Sequence, residues 1–259
     1  MTVQAPAVVS LRQVGKTYER GTVALEGFDL IVRDGEFVSL LGPSGCGKTT
    51  ALRIVAGLSE PSEGAVEWPE GKVAGAVGNI GFVFQEPTLM PWANVAGNVR
   101  LPLKLAHADT TATDAAVSQA LERVGLADFA QSYPRELSGG MKMRAAIARA
   151  LVTEPRLLLM DEPFAALDEI NRFRLNNDLL KLWQMLARTV VFVTHSVFES
   201  VFLSQRIVVM TPRPGRVFAE IDIPAPYPRD EDFRTSSDYA GYCRRVSEAL
   251  RAAMAEGAA

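Results

Sequence analysis

The sequence predicts an α/β fold built on a mainly parallel sheet, and three observations carry that prediction. Short, almost wholly apolar runs at residues 37–41, 157–160 and 190–193 have the length and character of strands. Stretches of helical character separate these runs, so strand and helix alternate as parallel crossover units require. The first run passes directly into Gly42-Pro-Ser-Gly-Cys-Gly-Lys-Thr49, a glycine-rich turn followed by a helical segment. Strand, glycine turn and helix is the context in which such a turn has a function.

The elements follow in order. Residues 8–14 and 23–32 predict two strands joined by the polar turn Glu19-Arg-Gly21, an N-terminal antiparallel β subdomain. Residues 37–41 form the buried strand that enters the glycine turn, and 48–56 the helix beyond it. Residues 78–84 predict another strand, ending at Gln85. From Pro91 to about Leu151 the character changes, with helices over 98–105, 113–124 and 138–151 and few β-branched clusters. This is a helical subdomain inserted between strands of the sheet. Strands return at 157–160, 190–193 and 207–210, with helices at about 171–187 and 197–203. Thr211-Pro-Arg-Pro-Gly215 is a turn, 216–223 a last strand, and Pro224-Ala-Pro-Tyr-Pro228 interrupts the pattern. A final helix spaces Tyr239, Tyr242, Val246, Leu250 and Met254 for one apolar face. That face is short and modestly apolar, so it is expected to pack on the core rather than on a membrane.

Composition excludes several classes. The 259 residues are 48% hydrophobic and 22% charged, which is ordinary for a globular protein. A net charge of −3 and a pI near 5.6 argue against a nucleic-acid-binding surface. No apolar run approaches the roughly 20 residues of a bilayer span. Residues 1–10 lack the basic and apolar blocks of a secretion signal. The chain is therefore expected in the cytoplasm, with any membrane role reached through a partner. Its two cysteines, Cys46 and Cys243, make no disulfide framework, and an unpaired thiol inside the glycine turn suits a reducing compartment.

The turn at 42–49 is a full G-x-x-x-x-G-K-[ST] match. Gly42, Gly45 and Gly47 let successive N–H groups converge on phosphate oxygens, and the following helix adds its positive end. Pro43, Ser44, Cys46 and Thr50 complete the candidate ATP contacts. Lys48 supplies a cation for the β and γ phosphates, and Thr49 a hydroxyl for Mg²⁺. The strand over 157–160 leads to adjacent carboxylates: Asp161 to organise the metal and Glu162 to polarise an attacking water as general base. A chance glycine turn, or a strand ending in solvated acids, is the bland alternative to each motif alone; together they make it weak.

Leu137-Ser-Gly-Gly-Met141, lying between these two motifs, has no use in a lone nucleotidase. With it the chain resembles the ATP-binding cassette (ABC) ATPases over about 8–223. The resemblance implies a P-loop NTPase, RecA-like core over 8–223, with the helical subdomain inserted at about 91–151 and a linker with an amphipathic helix over 224–259. It implies that Ser138, Gly139 and Gly140 cover the γ-phosphate of ATP held by another subunit, although a Ser before a helix is also a common N-cap. It implies that Tyr18 stacks on adenine, that Gln85 reaches the metal and water, and that His195 contacts the γ-phosphate as a catalytic switch beside Glu162 and Lys48. Asp168 resembles the residue through which two subunits sense each other. Met141 departs from the family's usual Gln and is left out of the polar contacts.

Two strings, Pro87-Thr-Leu-Met-Pro-Trp92 and residues 94–103, together with Phe164-Ala-Ala-Leu-Asp168 followed by Asn171-Arg-Phe-Arg174, resemble the ATPases of nitrate, sulfonate and taurine-type importers. The implied cofactors are ATP and Mg²⁺. The implied partners are a second ABC ATPase subunit, expected to form a homodimer, integral membrane permease subunits and an extracytoplasmic solute-binding protein, with no nucleic acid. The implied place is the cytoplasmic side of the inner membrane, peripheral through the permease. An exporter cassette, a non-transport ABC protein acting on nucleic acid or ribosomes, and a small-molecule kinase are the alternatives. The last leaves Ser138-Gly-Gly140 unexplained.

Overall fold

The computed structural model describes residues 5–68, 80–107 and 110–256. In chain order the elements are β1 (Ala7–Thr17), β2 (Val23–Arg33), β3 (Phe37–Leu41), α1 (Lys48–Val55), β4 (Glu63–Glu67), β5 (Ile80–Val83), α2 (Val95–Leu105), α3 (Thr110–Arg123), α4 (Gly139–Leu151) and β6 (Leu157–Asp161). They continue with α5 (Glu169–Leu186), β7 (Thr189–Thr194), α6 (Val197–Leu203), β8 (Arg206–Met210), β9 (Val217–Asp222), α7 (Glu231–Thr235) and α8 (Ser237–Glu256). The class is the α/β one the sequence predicts. The strand expected over 78–84 is β5, and residues 78 and 79 lie outside the described residues.

The chain divides into two units, Met1–Gly75 with Arg188–Ala259, and Ala76–Ala187. In the first unit β3 lies between β7 and β8, parallel to both, and β9 closes the edge antiparallel to β8. Every residue of β3, β7 and β8 is buried, which is why these strands are mostly apolar along their length rather than alternating. A second, antiparallel sheet has the order β2-β1-β4. β2 alternates buried and exposed positions along most of its length, as a strand with one wet face does. β4 is absent from the sequence-based expectation. Its Glu-Gly-Ala-Val-Glu segment is almost wholly exposed, so no apolar periodicity marks it, and only its register with β1 makes it a strand.

In the second unit β5 and β6 form a parallel pair, accompanied by α2 to α5. α4 runs so close to β5 that a Cβ on Gly81 would sit 2.5 Å from the Ala150 carbonyl oxygen. Asn94 caps α2 by accepting the Gly97 N–H at 2.8 Å. Fully buried Asn98 then gathers the preceding loop, accepting the Met90 N–H at 2.6 Å and donating to the carbonyls of Met90, Ala93 and Asn94.

The tail after β9 packs on the first unit. Buried Arg229 donates to the carbonyls of Val201, Phe202 and Ser204 at the end of α6, and to those of Ile223 and Ala225. One guanidinium thus satisfies helix-end carbonyls that have no partner within the helix. α8 packs on the core as expected, but its buried face needs correction: Tyr239, Cys243, Val246 and Ala253 are buried, whereas Met254 is half exposed. Burial pushes the Cys243 thiol up to about 11. No helix among the described residues is long and apolar enough to cross a membrane.

Candidate functional site

The first unit brings together the glycine turn, Tyr18 and the strand end that precedes His195. Leu41 pairs with Thr194, so β3 delivers Gly42 and β7 delivers His195 at the same level of the sheet. The carboxyl ends of parallel strands are where open α/β sheets bind ligands. Gly45 and Gly47 have φ of 77° and 105°, in the left-handed region that side-chain-bearing residues rarely enter. A Cβ on Gly47 would also lie 2.6 Å from the Ala24 carbonyl oxygen, so glycine is required there twice over.

Gly47 is the N-cap of α1, no side chain among the described residues caps it, and the first turn carries no acidic residue. The positive end of α1 therefore faces the turn uncancelled, the arrangement that favours an anion. Lys48 is 4% exposed, and its ammonium donates to the carbonyls of Gly42 at 2.8 Å and Pro43 at 3.0 Å. These bonds hold the charge inside the turn. Cys46 is buried and is in no disulfide. The Tyr18 hydroxyl lies 3.2 Å from the Thr50 Oγ1, which ties its ring, 40% exposed, to the start of α1.

His195 is exposed, and its position is fixed through its neighbours. Thr194 accepts the Ser196 N–H at 3.0 Å and donates to buried Glu199 at 2.6 Å, while Ser196 caps α6. This clamp is not legible from sequence, because nothing there tells which side chain Thr194 will meet.

The second unit holds the carboxylates, Gln85 and the Ser-Gly-Gly turn. Val83 pairs with Met160, so β5 and β6 end at one level and release Gln85 on one side and Asp161-Glu162 on the other. Asp161 is buried and Glu162 half-buried, while Gln85 is exposed. Glu162 has φ of 45°, a left-handed conformation that costs a non-glycine residue about 1–3 kcal/mol. Arg149, which the sequence reasoning missed, reaches from α4 to the segment after Gln85, donating to the carbonyls of Thr88 at 2.8 Å and Pro87 at 2.9 Å. The helix that starts at the Ser-Gly-Gly turn therefore holds the Gln85 segment in place.

Ser138 is the N-cap of α4: its hydroxyl accepts the Met141 N–H at 3.3 Å. The common-cap reading is thus real, but it leaves the two glycines unexplained. Gly139 and Gly140 are helical, and the nearest described atoms to an added Cβ are 3.4 Å and 3.8 Å away, ordinary contacts. Alanine would fit both, and glycine in a helix is worse than alanine by up to about 1 kcal/mol. Packing among the described residues does not call for glycine here. Ser138 and Gly139 are exposed, which leaves the turn open to a close backbone approach.

Asp168 is exposed and caps α5, accepting the Asn171 N–H at 3.0 Å and its amide side chain at 2.6 Å. These two hydrogen bonds hold its carboxyl below the ordinary carboxylate range. Among the described residues no group of three His, Cys, Asp or Glu side chains gathers as a metal site.

Comparison with known proteins bears on the whole arrangement. Residues 25–165 match the family model described as ABC transporter. An uncharacterised ABC transporter ATP-binding protein of Methanocaldococcus jannaschii is 46% identical over 228 residues, 88% of this chain and 84% of that protein. An aliphatic sulfonates import ATP-binding protein of Pseudomonas syringae pv. syringae is 45% identical over 225 residues, 86% of this chain and 89% of its own length. Among solved structures, the dimeric post-hydrolysis state of an ATP-binding cassette bound to ADP and Pi superposes with a TM-score of 0.74 at 34% identity, covering 84% of this chain and all of that one.

Proposed function

The chain belongs to the ABC transporter family as an ATP-binding, ATP-hydrolysing cassette, and from that membership we propose that it drives a small-solute importer of the nitrate, sulfonate or taurine type. Two copies close head-to-tail on ATP and open after hydrolysis. The observation that carries this reading is the pair of helical glycines behind Ser138, Gly139 exposed and Gly140 half-buried, which the chain's own described packing does not require. A γ-phosphate arriving from a second copy supplies the requirement, and the dimeric cassette bound to ADP and Pi supports it. ATP shifts the open–closed equilibrium only because it makes these added contacts in the closed form alone.

In this reading Gly42, Pro43, Ser44, Gly45, Cys46, Gly47, Lys48, Thr49 and Thr50 hold the phosphates, and Tyr18 stacks on adenine. Glu162 takes the proton of the attacking water, and His195 donates to the γ-phosphate. Mg²⁺ would be held by the Thr49 hydroxyl, the Gln85 amide oxygen and the Asp161 carboxylate. This all-oxygen set suits a hard cation that keeps phosphate and water ligands. When bound, the ion neutralises charge on the β and γ phosphates. Asp168 lies at the subunit boundary, and the exposed segment around Gln85 and Trp92 (77% exposed) meets the permease. The permease, a second copy and an extracytoplasmic solute-binding protein complete the importer at the cytoplasmic face of the inner membrane. The sulfonate-import relative supports the solute class.

Purifying the cassette with its membrane partners and measuring ATP-driven solute uptake in vesicles tests the reading. Uptake of an alkanesulfonate or a similar small oxyanion supports it; ATP-driven efflux of the solute overturns the direction. Two substitutions refine it. His195→Ala is expected to lower turnover by about a hundredfold, the cost of losing one transition-state donor, with ATP affinity little changed. An unaltered turnover with weakened binding would contradict that role. Gln85→Ala is expected to keep ATP hydrolysis while solute moved per ATP falls several-fold; fully normal transport would remove Gln85 from coupling.

A further inference from the structure

Three strand ends meet at one level in the first unit, because Leu41 pairs with both Thr194 and Val209. β3 leads into the phosphate turn and β7 into His195. β8 leads, after Met210, into Thr211-Pro-Arg-Pro-Gly215, which the sequence marks only as a turn. That turn is fastened to the phosphate-binding segment. Arg213 donates from Nε and Nη2 to the Gly45 carbonyl oxygen at 3.1 and 3.0 Å. The Gly215 backbone lies so near Cys46 that a Cβ on it would come within 2.0 Å of the Cys46 carbonyl oxygen. Gly215 also donates its N–H to Ala24 at 3.0 Å and accepts from the Glu26 N–H at 3.2 Å. Thr211 closes the turn, its hydroxyl donating to the Pro214 carbonyl and accepting the Arg216 N–H, each at 3.0 Å.

We propose that Arg213 is a positioning residue for ATP, locking the Gly45–Cys46 peptide in the orientation that keeps its carbonyl oxygen away from the triphosphate. Gly45, with φ of 77° and no side chain, offers little resistance of its own to peptide rotation. In a trans peptide the carbonyl and N–H point opposite ways. Fixing the Gly45 oxygen on the guanidinium therefore directs the Cys46 N–H into the turn, where the Pro43 carbonyl accepts it at 3.3 Å. A flipped peptide would aim a partial negative charge at phosphate. The planar guanidinium fork holds one carbonyl with two N–H groups, which restrains direction as well as distance. The same exposed cation adds positive potential beside the phosphates.

The proposal rests on residues 42–50 being the phosphate site, so the experiment carries a control for that reading. ATP hydrolysis kinetics, ATP and ADP binding, and thermal melting are measured for the wild type, Arg213→Ala, Arg213→Lys and Lys48→Ala. Arg213→Ala is expected to raise KM for ATP about tenfold, the worth of one solvent-accessible charge-assisted contact. Its kcat should stay within about twofold and its melting temperature should hold. Arg213→Lys, which can still donate to Gly45, should recover most of the affinity. Unchanged KM in Arg213→Ala would overturn the proposal. So would a fall in melting temperature that accounts for the lost affinity in both variants. Should Lys48→Ala bind ATP as the wild type does, the phosphate-site reading itself fails; a Lys48→Ala that loses ATP beside an unaffected Arg213→Ala sinks Arg213 alone.

Discussion

Glu162→Gln is expected to reduce ATP turnover by about a thousandfold while leaving ATP affinity within a factor of about three. Glutamine keeps the shape and the hydrogen-bond acceptor but cannot take the proton of the attacking water, and general-base catalysis contributes about 10²–10⁴ in rate. The backbone at this position is already strained, with φ of 45°, and glutamine has no stronger objection to that conformation than glutamate. The melting temperature should therefore hold, and the loss should be chemical. Steady-state hydrolysis with parallel equilibrium binding of ATP checks it. Turnover within tenfold of wild type would assign the base elsewhere; affinity lost together with rate would make Glu162 a binding residue.

Lys48→Ala is expected to weaken ATP binding by at least about a hundredfold. Its ammonium is nearly inaccessible and is held over the turn by the Gly42 and Pro43 carbonyls. Charge-assisted hydrogen bonds are worth about 1.5–3 kcal/mol each, so losing two to phosphate oxygens is worth a hundredfold or more. Removing the side chain also leaves the buried Gly42 carbonyl without the ammonium it pairs with, and the turn loosens. Titration with a fluorescent ATP analogue, alongside thermal melting, separates the two effects. Affinity equal to wild type would contradict the assignment of residues 42–50.

The parts of this molecule legible in its sequence are those where chemistry forces local composition. β3, β6, β7 and β8 are recognisable because burial on both faces demands almost wholly apolar runs. Gly45 and Gly47 are recognisable because their conformations and the close approach of Ala24 tolerate little else. β4 is not legible, since an exposed edge strand of five residues is defined by its partner and not by periodicity. Arg149 and Arg213 are not legible for a related reason: an arginine in sequence does not announce which carbonyl it will hold 62 or 168 positions away. The face of α8 shifted for a third reason. Tyr239, Val246 and Leu250 obey helical spacing, but Ala253 rather than Met254 lies on the line they define. The cap from Ser138 to Met141 is compatible with the proposed presentation of the same turn to a ligand from outside.

That external ligand is the claim on which the proposed function stands, and one mass measurement reaches it directly. Glu162→Gln protein is examined by light scattering with and without ATP, alone and combined with Ser138→Asp. Aspartate preserves the cap on α4, so the helix is kept, but it sets a negative charge where a γ-phosphate from another copy must approach. One-chain mass, 28.1 kDa, is expected without ATP, about twice that with ATP, and a return to one-chain mass in the double variant even though each chain still binds ATP. A Glu162→Gln protein that binds ATP yet stays at one-chain mass, or an ATP-dependent dimer indifferent to Ser138→Asp, would contradict it.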